Sequence, residues 1–366
     1  MRILHYYRTK DPMVGEHVRL LTEGMSAESE QHVATESTQA QTLLQGGRYD
    51  ILHLHGCWRN SSRTIASLAL RQGARLVLTP HGQLEPWIQD ENRWKEKMPK
   101  RILYQQHITH SAYAVVVQGQ MEQKCLQNLA WNPRLVVIPN AVITHSISRE
   151  EMSRQTLQLY RKVLDTNPLE RMTDEMRSIL KTIIQAGITG DRRWLEKEAL
   201  NEALSNSIQW REIMLYGHQE QITDTIQRGL RVLDLQAPDI ALSQAEFFLP
   251  QGYQETQLIG AVIGNQFPSE NRRLFATIRH INKLVDNRQL SIKHLIELDK
   301  ELRQYGCKEE QLCERLQEYH LYKLAARIMF LMAERTGLTE GFMPLAPIAD
   351  RTARRMLRQI DNHLKI

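Results

Sequence analysis

The sequence predicts an α/β fold, a doubly wound parallel sheet with helices on both faces, over residues 1–147. A mainly α-helical domain is predicted over 148–366. The first observation is a set of six short runs rich in β-branched residues, at 2–6, 32–35, 51–55, 75–79, 114–117 and 134–138. Gly, Pro, Asp or Asn bounds them, as expected of strands buried on both faces. The second is the helical spacing between the runs, clearest at 61–72 and 120–129. Strands alternating with helices build a parallel sheet whose turns gather at its carboxyl edge, where open sheets bind ligands. The third is the loss of the strand signal from Ser148 onward.

Helical patterns then take over, at 150–164, 174–186, 191–205, 210–235, 270–286, 308–335 and 349–364. Leu321, Leu324, Ala325, Ile328 and Met329 recur at three and four, the mark of a core-facing helix. The apolar run 258–264 fits either a strand or a buried turn of helix.

With 366 residues, 42% hydrophobic and 24% charged, the chain has room for two globular domains. Its 18 Gly and 12 Pro exclude a collagen-like or low-complexity chain. No run approaches the roughly 20 apolar residues that span a bilayer, and the N-terminal Met1-Arg2-Ile3-Leu4-His5 does not read as a secretory signal. A cytoplasmic protein is therefore expected. Cys57, Cys125, Cys307 and Cys313 are too few and scattered for a disulfide framework. The net charge of +5 is too small an excess to specify an anionic partner. Aromatics at 6% and the lack of a recognition motif argue against nucleic acid.

Four strand-end loops carry the chemistry. After the first strand, 11–18 places Gly15 near the start of a helix, where backbone N–H groups can face a phosphate or a sugar hydroxyl. The third strand ends in His53-Leu54-His55-Gly56-Cys57-Trp58. Two His at i, i+2 of a strand point the same way; with no third ligand in view, no metal is assigned, and a structural or substrate-contacting pair is expected. After the fourth strand, His81 stands between Pro80 and Gly82, with Glu85 as an acid and Trp87 as a platform for stacking on a sugar. The sixth strand ends in Pro139-Asn140, and Asn140 also suits such a turn for backbone reasons alone.

Taken together, the segments 49–58, 78–87, 94–104 and 112–117, with Glu122 and 137–142, resemble the N-terminal, acceptor-side domain of family 4 glycosyltransferases. The resemblance spans roughly residues 1–145. It implies a Rossmann-like half of the GT-B fold and transfer of a sugar from a nucleotide-sugar donor to a polysaccharide or glycolipid acceptor. It further implies retention of anomeric configuration, without a metal or other cofactor. By the same resemblance His81 matches the active-site His, Gly15 the phosphate-side glycine position, and Asn140 the crossing toward a second domain. His55, Glu85 and Trp87 would shape the acceptor pocket.

The sequence also departs from the family pattern. Val14 precedes Gly15 where a second Gly is usual, Ala141 follows Asn140 where Gly is usual, and Gln118-Gly119 ends the fifth strand in place of Ser or Thr. No donor-domain motif is found after residue 150. A catalytically inactive relative, serving as a binding or scaffold protein, is the alternative expectation. On the last helical segment Arg351, Arg354, Arg355 and Arg358 form a basic stripe. It fits either peripheral contact with anionic lipid at the inner membrane or a solvated face paired with Asp350 and Asp361.

Overall fold

The computed structural model describes residues 1–8, 11–85, 104–191, 210–238, 240, 242, 245–249, 258–263, 270–304 and 306–362. Trp87, most of the basic segment 94–104 and nearly all of the helical pattern 191–205 lie outside these. The chain divides into two compact units, one built on Met1–Thr166 with Glu246–Gln251, the other on Asn167–Ala245 and Gly252–Lys365.

The first unit is the expected sheet. Six strands, β1 (Arg2–Tyr7), β2 (Glu30–Ala34), β3 (Ile51–His55), β4 (Arg75–Thr79), β5 (Ala114–Val117) and β6 (Leu135–Val137), lie in the order β2-β1-β3-β4-β5-β6. All five pairings are parallel. Helices α1 (Pro12–Met25), α2 (Ser37–Gly46), α3 (Asn60–Arg71), α4 (Gln106–Ser111) and α5 (Gln120–Leu129) fall in the gaps between strands. The sixth helix of the unit, α6 (Arg149–Asp165), follows β6. Side chains alternate across each strand, and this sorts the sheet into two apolar layers. Leu4, Tyr6, Leu52, Leu54, Leu76 and Leu78 pack with Leu44 of α2 and Ile65 and Ala69 of α3. Ile3, Ile51 and Val77 pack on the opposite face with Leu20 and Leu21 of α1 and Tyr160 and Val163 of α6.

Helix α6 therefore completes the second layer of the sheet. The first unit runs to Thr166, past the change in patterning at 147/148, because burial and not strand content decides where a domain ends. Ser148 caps α6 by accepting the Glu151 N–H at 3.1 Å.

Among its described residues the second unit is helical: α7 (Asp174–Thr189), α8 (Trp210–Gln219), α9 (Thr223–Leu233), α10 (Ile259–Ile263), α11 (Glu270–Asp286), α12 (Ile292–Gln304), α13 (Glu309–Glu318), α14 (Tyr322–Arg335) and α15 (Arg351–Asp361). Two long periodic patterns are each broken in the middle. Gln221, at φ 59°, separates α8 from α9, and His320, at φ 57°, separates α13 from α14. One left-handed residue reverses a helix while the apolar spacing runs on through it. Helix α12 has no counterpart among the expected helices. The ambiguous run 258–264 contains the short helix α10.

Helices α7 and α9 cross in close contact. A Cβ on Gly187 would stand 2.0 Å from the Thr225 carbonyl oxygen, and one on Gly229 would stand 2.0 Å from that of Ile183. Glycine is required at both positions because the obstacle is backbone.

On α15 Ala353, Met356 and Ile360 are buried, while Arg351, Arg354, Arg355 and Arg358 are exposed. Asp350 caps this helix through the Ala353 N–H, 2.8 Å away, and pairs with Arg327, while Asp361 pairs with Arg335. The two acids expected to neutralise the stripe are thus engaged by arginines of α14.

Candidate functional site

The face of the sheet that carries Ile3, Ile51 and Val77 changes character toward the carboxyl ends of the strands. One pleat further on stand His5 and His53, paired across β1 and β3, and beyond them His55, paired with Tyr7 on one side and Thr79 on the other. Period-two alternation converts an apolar stripe into an imidazole stripe within one strand. His17 reaches the cluster from α1, and His81 from the turn after β4. Ring centroids lie 4.0 Å apart for His53 and His55, 5.5 Å for His55 and His81, and 5.0 Å for His17 and His81.

A near-continuous hydrogen-bond network threads these rings. Ser29 Oγ donates to the Met25 carbonyl at 2.9 Å, so it accepts from Gln31 Nε2 at 2.5 Å. Gln31 Oε1 consequently faces His5 Nε2 at 2.7 Å, and His5 Nδ1 lies 3.0 Å from His55 Nε2. His55 Nδ1 lies 3.2 Å from His81 Nε2, and His81 Nδ1 lies 2.8 Å from Gln118 Nε2. His53 is held separately, by Tyr160 Oη at 2.6 Å and Thr79 Oγ1 at 2.7 Å. His17 Nδ1 lies 3.1 Å from Asn140 Oδ1, which also accepts the Val142 N–H at 3.0 Å.

Burial favours the neutral form of all five rings. It lowers His5 and His17 to about 4 and His81 to about 3, with His17 adding to the effect on His5 and His81. Burial also holds His53 and His55 well below the ordinary imidazole range. Clustered imidazoles suppress one another's charge, since a second proton would be placed beside the first in a low-dielectric interior.

The turn around His81 is held in a fixed shape. His81 has φ 53°, a left-handed conformation that costs a residue with a Cβ roughly 1 kcal/mol or more. Neighbours hold it there: Glu122, buried on α5, accepts the Gly82 N–H at 2.7 Å and the Gln118 N–H at 3.0 Å. Burial raises the Glu122 carboxyl, and these two N–H groups oppose that. Gln83 Oε1 accepts the Cys57 N–H at 2.6 Å, and the Gln83 carbonyl accepts the Trp58 indole N–H at 2.9 Å. Trp58 is further fixed by Gln105 and Tyr104.

The structure brings together His55, His81 and Asn140, with His17 linking the last to the other two. Asn140 is buried, and its Nδ2 has no partner among the described residues. Gly15 lies within the first turn of α1 and not ahead of it, where a Cβ would come 3.4 Å from the Tyr7 hydroxyl. Glu85 is half-buried beside the turn, its carboxyl raised by burial. Trp87 lies outside the described residues. Sequence reasoning did not single out His5, His17 or Gln31. His5 had a signal, since it occupies in β1 the place that His53 occupies in β3.

Residues 4–141 match the family model of the glycosyl transferase 4-like domain. This stretch, a little over a third of the chain, covers nearly all of the parallel sheet and all five histidines. No curated protein and no solved structure matches the chain. No described helix is long and apolar enough to cross a membrane.

Proposed function

We propose that the carboxyl edge of the sheet binds a sugar substrate and that the protein transfers a sugar from a nucleotide-sugar donor to a glycan or lipid-linked acceptor. The observation that carries this reading is the convergence of His81, His55, His17 and Asn140 over the strand ends of a glycosyl transferase 4-like domain. Neutral imidazoles and the unpartnered amide of Asn140 suit sugar hydroxyls, which both donate and accept hydrogen bonds. The fixed turn at His81 holds its ring in place before substrate arrives, as preorganised sites require. His81→Ala should lower sugar transfer by about 100-fold or more while leaving the far-UV circular dichroism and unfolding midpoint close to wild type. Transfer at the wild-type rate by a folded variant overturns the role of His81.

A second reading is favoured by two specific observations. Both ring nitrogens of His81 already have partners, and the second unit has no strand among its described residues. In that reading the domain binds a glycan without transferring it. Calorimetry of the full chain against a panel of nucleotide sugars separates the two, because a transferase must bind a donor and a scaffold need not.

A further inference from the structure

Three of the five histidines, His17, His55 and His81, offer ring nitrogens that all lie within 4.8 Å of one another. The surrounding network fixes which nitrogen each of the first two presents. Gln31 Oε1 accepts from His5 Nε2, which leaves His5 Nδ1 as an acceptor. His55 Nε2 must then carry the proton it donates to His5 Nδ1, so His55 Nδ1 holds a bare lone pair. Asn140 Oδ1, identified as oxygen by the Val142 N–H it also accepts, requires the proton of His17 on Nδ1. His17 Nε2 is therefore also a bare lone pair. His55 Nδ1 faces Nε2 of the third ring, His81, at 3.2 Å, and the His17 ring stands beside both.

A bare lone pair on a buried ring nitrogen needs a proton or a metal ion beside it. In the metal-free arrangement it is the proton on His81 Nε2, oriented by the Gln118 amide that donates to His81 Nδ1. The 3.2 Å between His55 Nδ1 and His81 Nε2, with a His17 nitrogen within 4.8 Å of both rings' ligand atoms, also suits a metal. Two nitrogens bound to one tetrahedral zinc ion at about 2 Å each stand roughly 3.3 Å apart. We propose that His17 Nε2, His55 Nδ1 and His81 Nε2 form a three-imidazole site for a divalent transition metal of the zinc type, with no fourth protein ligand among the described residues. Imidazole donors select zinc, copper, nickel or iron over magnesium and calcium.

Each ligand has the outer partner that such sites use to fix ring orientation: Asn140 for His17, the His5–Gln31 pair for His55, and Gln118 for His81. When the metal takes Nε2, the proton of His81 moves to Nδ1 and the Gln118 amide turns to accept it with its oxygen. All three ligands bind as neutral imidazoles, and no net proton is released. Access comes through His81, which is half-buried, whereas His5, His53 and His55, the other close triad, are all buried. In that triad both nitrogens of His53 are committed to hydroxyls, so it stays structural. The resemblance to family 4 enzymes implies transfer without a metal, and this site departs from it.

The test uses the full chain without a histidine tag, stripped with a chelator and titrated with Co²⁺ and then Zn²⁺. One Co²⁺ per chain should bind with the intense visible bands of tetrahedral coordination, and Zn²⁺ should displace it. His17→Gln and His81→Gln should each weaken binding by about 100-fold or more, while His32→Gln, away from the cluster, should not change it. Circular dichroism of each metal-free variant checks its folding. The wild-type titration decides the question even if a variant fails to fold. Absence of stoichiometric binding, a pale octahedral spectrum, or unchanged affinity in both folded ligand variants overturns the site. Neither outcome depends on sugar transfer.

Discussion

The two units bury polar groups in opposite ways. In the first, five histidines with no charged partner among the described residues gather on one side of the sheet, linked ring to ring or through Tyr160, Thr79, Gln31 and Asn140. In the second, the buried acids have cations or donors close by. Asp299 accepts from Arg303 Nε and from Thr336 Oγ1, both at 2.5 Å, and Glu301 accepts from Arg273 at 2.7 Å. Glu297 accepts the Ile259 N–H at 2.7 Å and the Gly260 N–H at 2.5 Å at the start of α10. These acids of the second unit close local pairs, within α12 for Asp299 and Arg303 and from α12 to α11 and α10 for Glu301 and Glu297. The rings of the first converge on the strand ends beside the Asn140 amide nitrogen, which has no partner among the described residues.

If the contrast is right, breaking a pair in the second unit should cost stability and nothing at the histidine site. Asp299→Ala, which strands a largely buried Arg303, should destabilise by about 3 kcal/mol or more in denaturant unfolding. It should leave the cobalt spectrum of the first unit unchanged in protein that is still folded; an altered spectrum would break the separation of roles. A smaller effect is expected at Tyr160, whose hydroxyl meets His53 Nδ1 at 2.6 Å. Tyr160→Phe should cost about 1–2 kcal/mol, again without loss of metal, because His53 is outside the proposed ligand set. Loss of the cobalt bands in this variant would move the site to the inner triad.

A different kind of effect is a pH slope. Burial, reinforced by Asp361 and opposed by Lys293, pushes Glu220 up to about 8 from an ordinary 4.5. As pH rises through that window the unfolded chain gives up this proton while the folded chain keeps it. The folded state then binds more protons, so stability falls with rising pH. Glu220→Gln removes the titration. Its gain over wild type should be small near about pH 5 and larger near about pH 8, measured by urea midpoints at both. An equal difference at the two values would show that Glu220 is ionised in the folded protein.

Much of the first unit was legible in the sequence because its signals are local. Short β-branched runs between helical segments specify a parallel sheet, and all six expected strands overlap β1 to β6. The paired His53 and His55 were visible for the same reason, since period two needs only one strand. His5 and His17 were not, because joining them to the cluster depends on the β1–β3 register and on how α1 packs over it. In the second unit, apolar spacing could not reveal the breaks at Gln221 and His320. A left-handed residue leaves the periodicity on either side intact and has no fixed residue type.

The sequence by itself determined the sheet, its helical successor and the strand-end loops that carry His55, His81 and Asn140. Tertiary structure decided which nitrogen each ring presents, because a tautomer is set by partners distant in sequence: Gln31 acts through His5 on His55, and Asn140 on His17. It also decided that α6 belongs to the first unit, where Tyr160 and Val163 close the apolar layer that the strands alone leave open. Both are consequences of packing, which composition and spacing constrain without specifying.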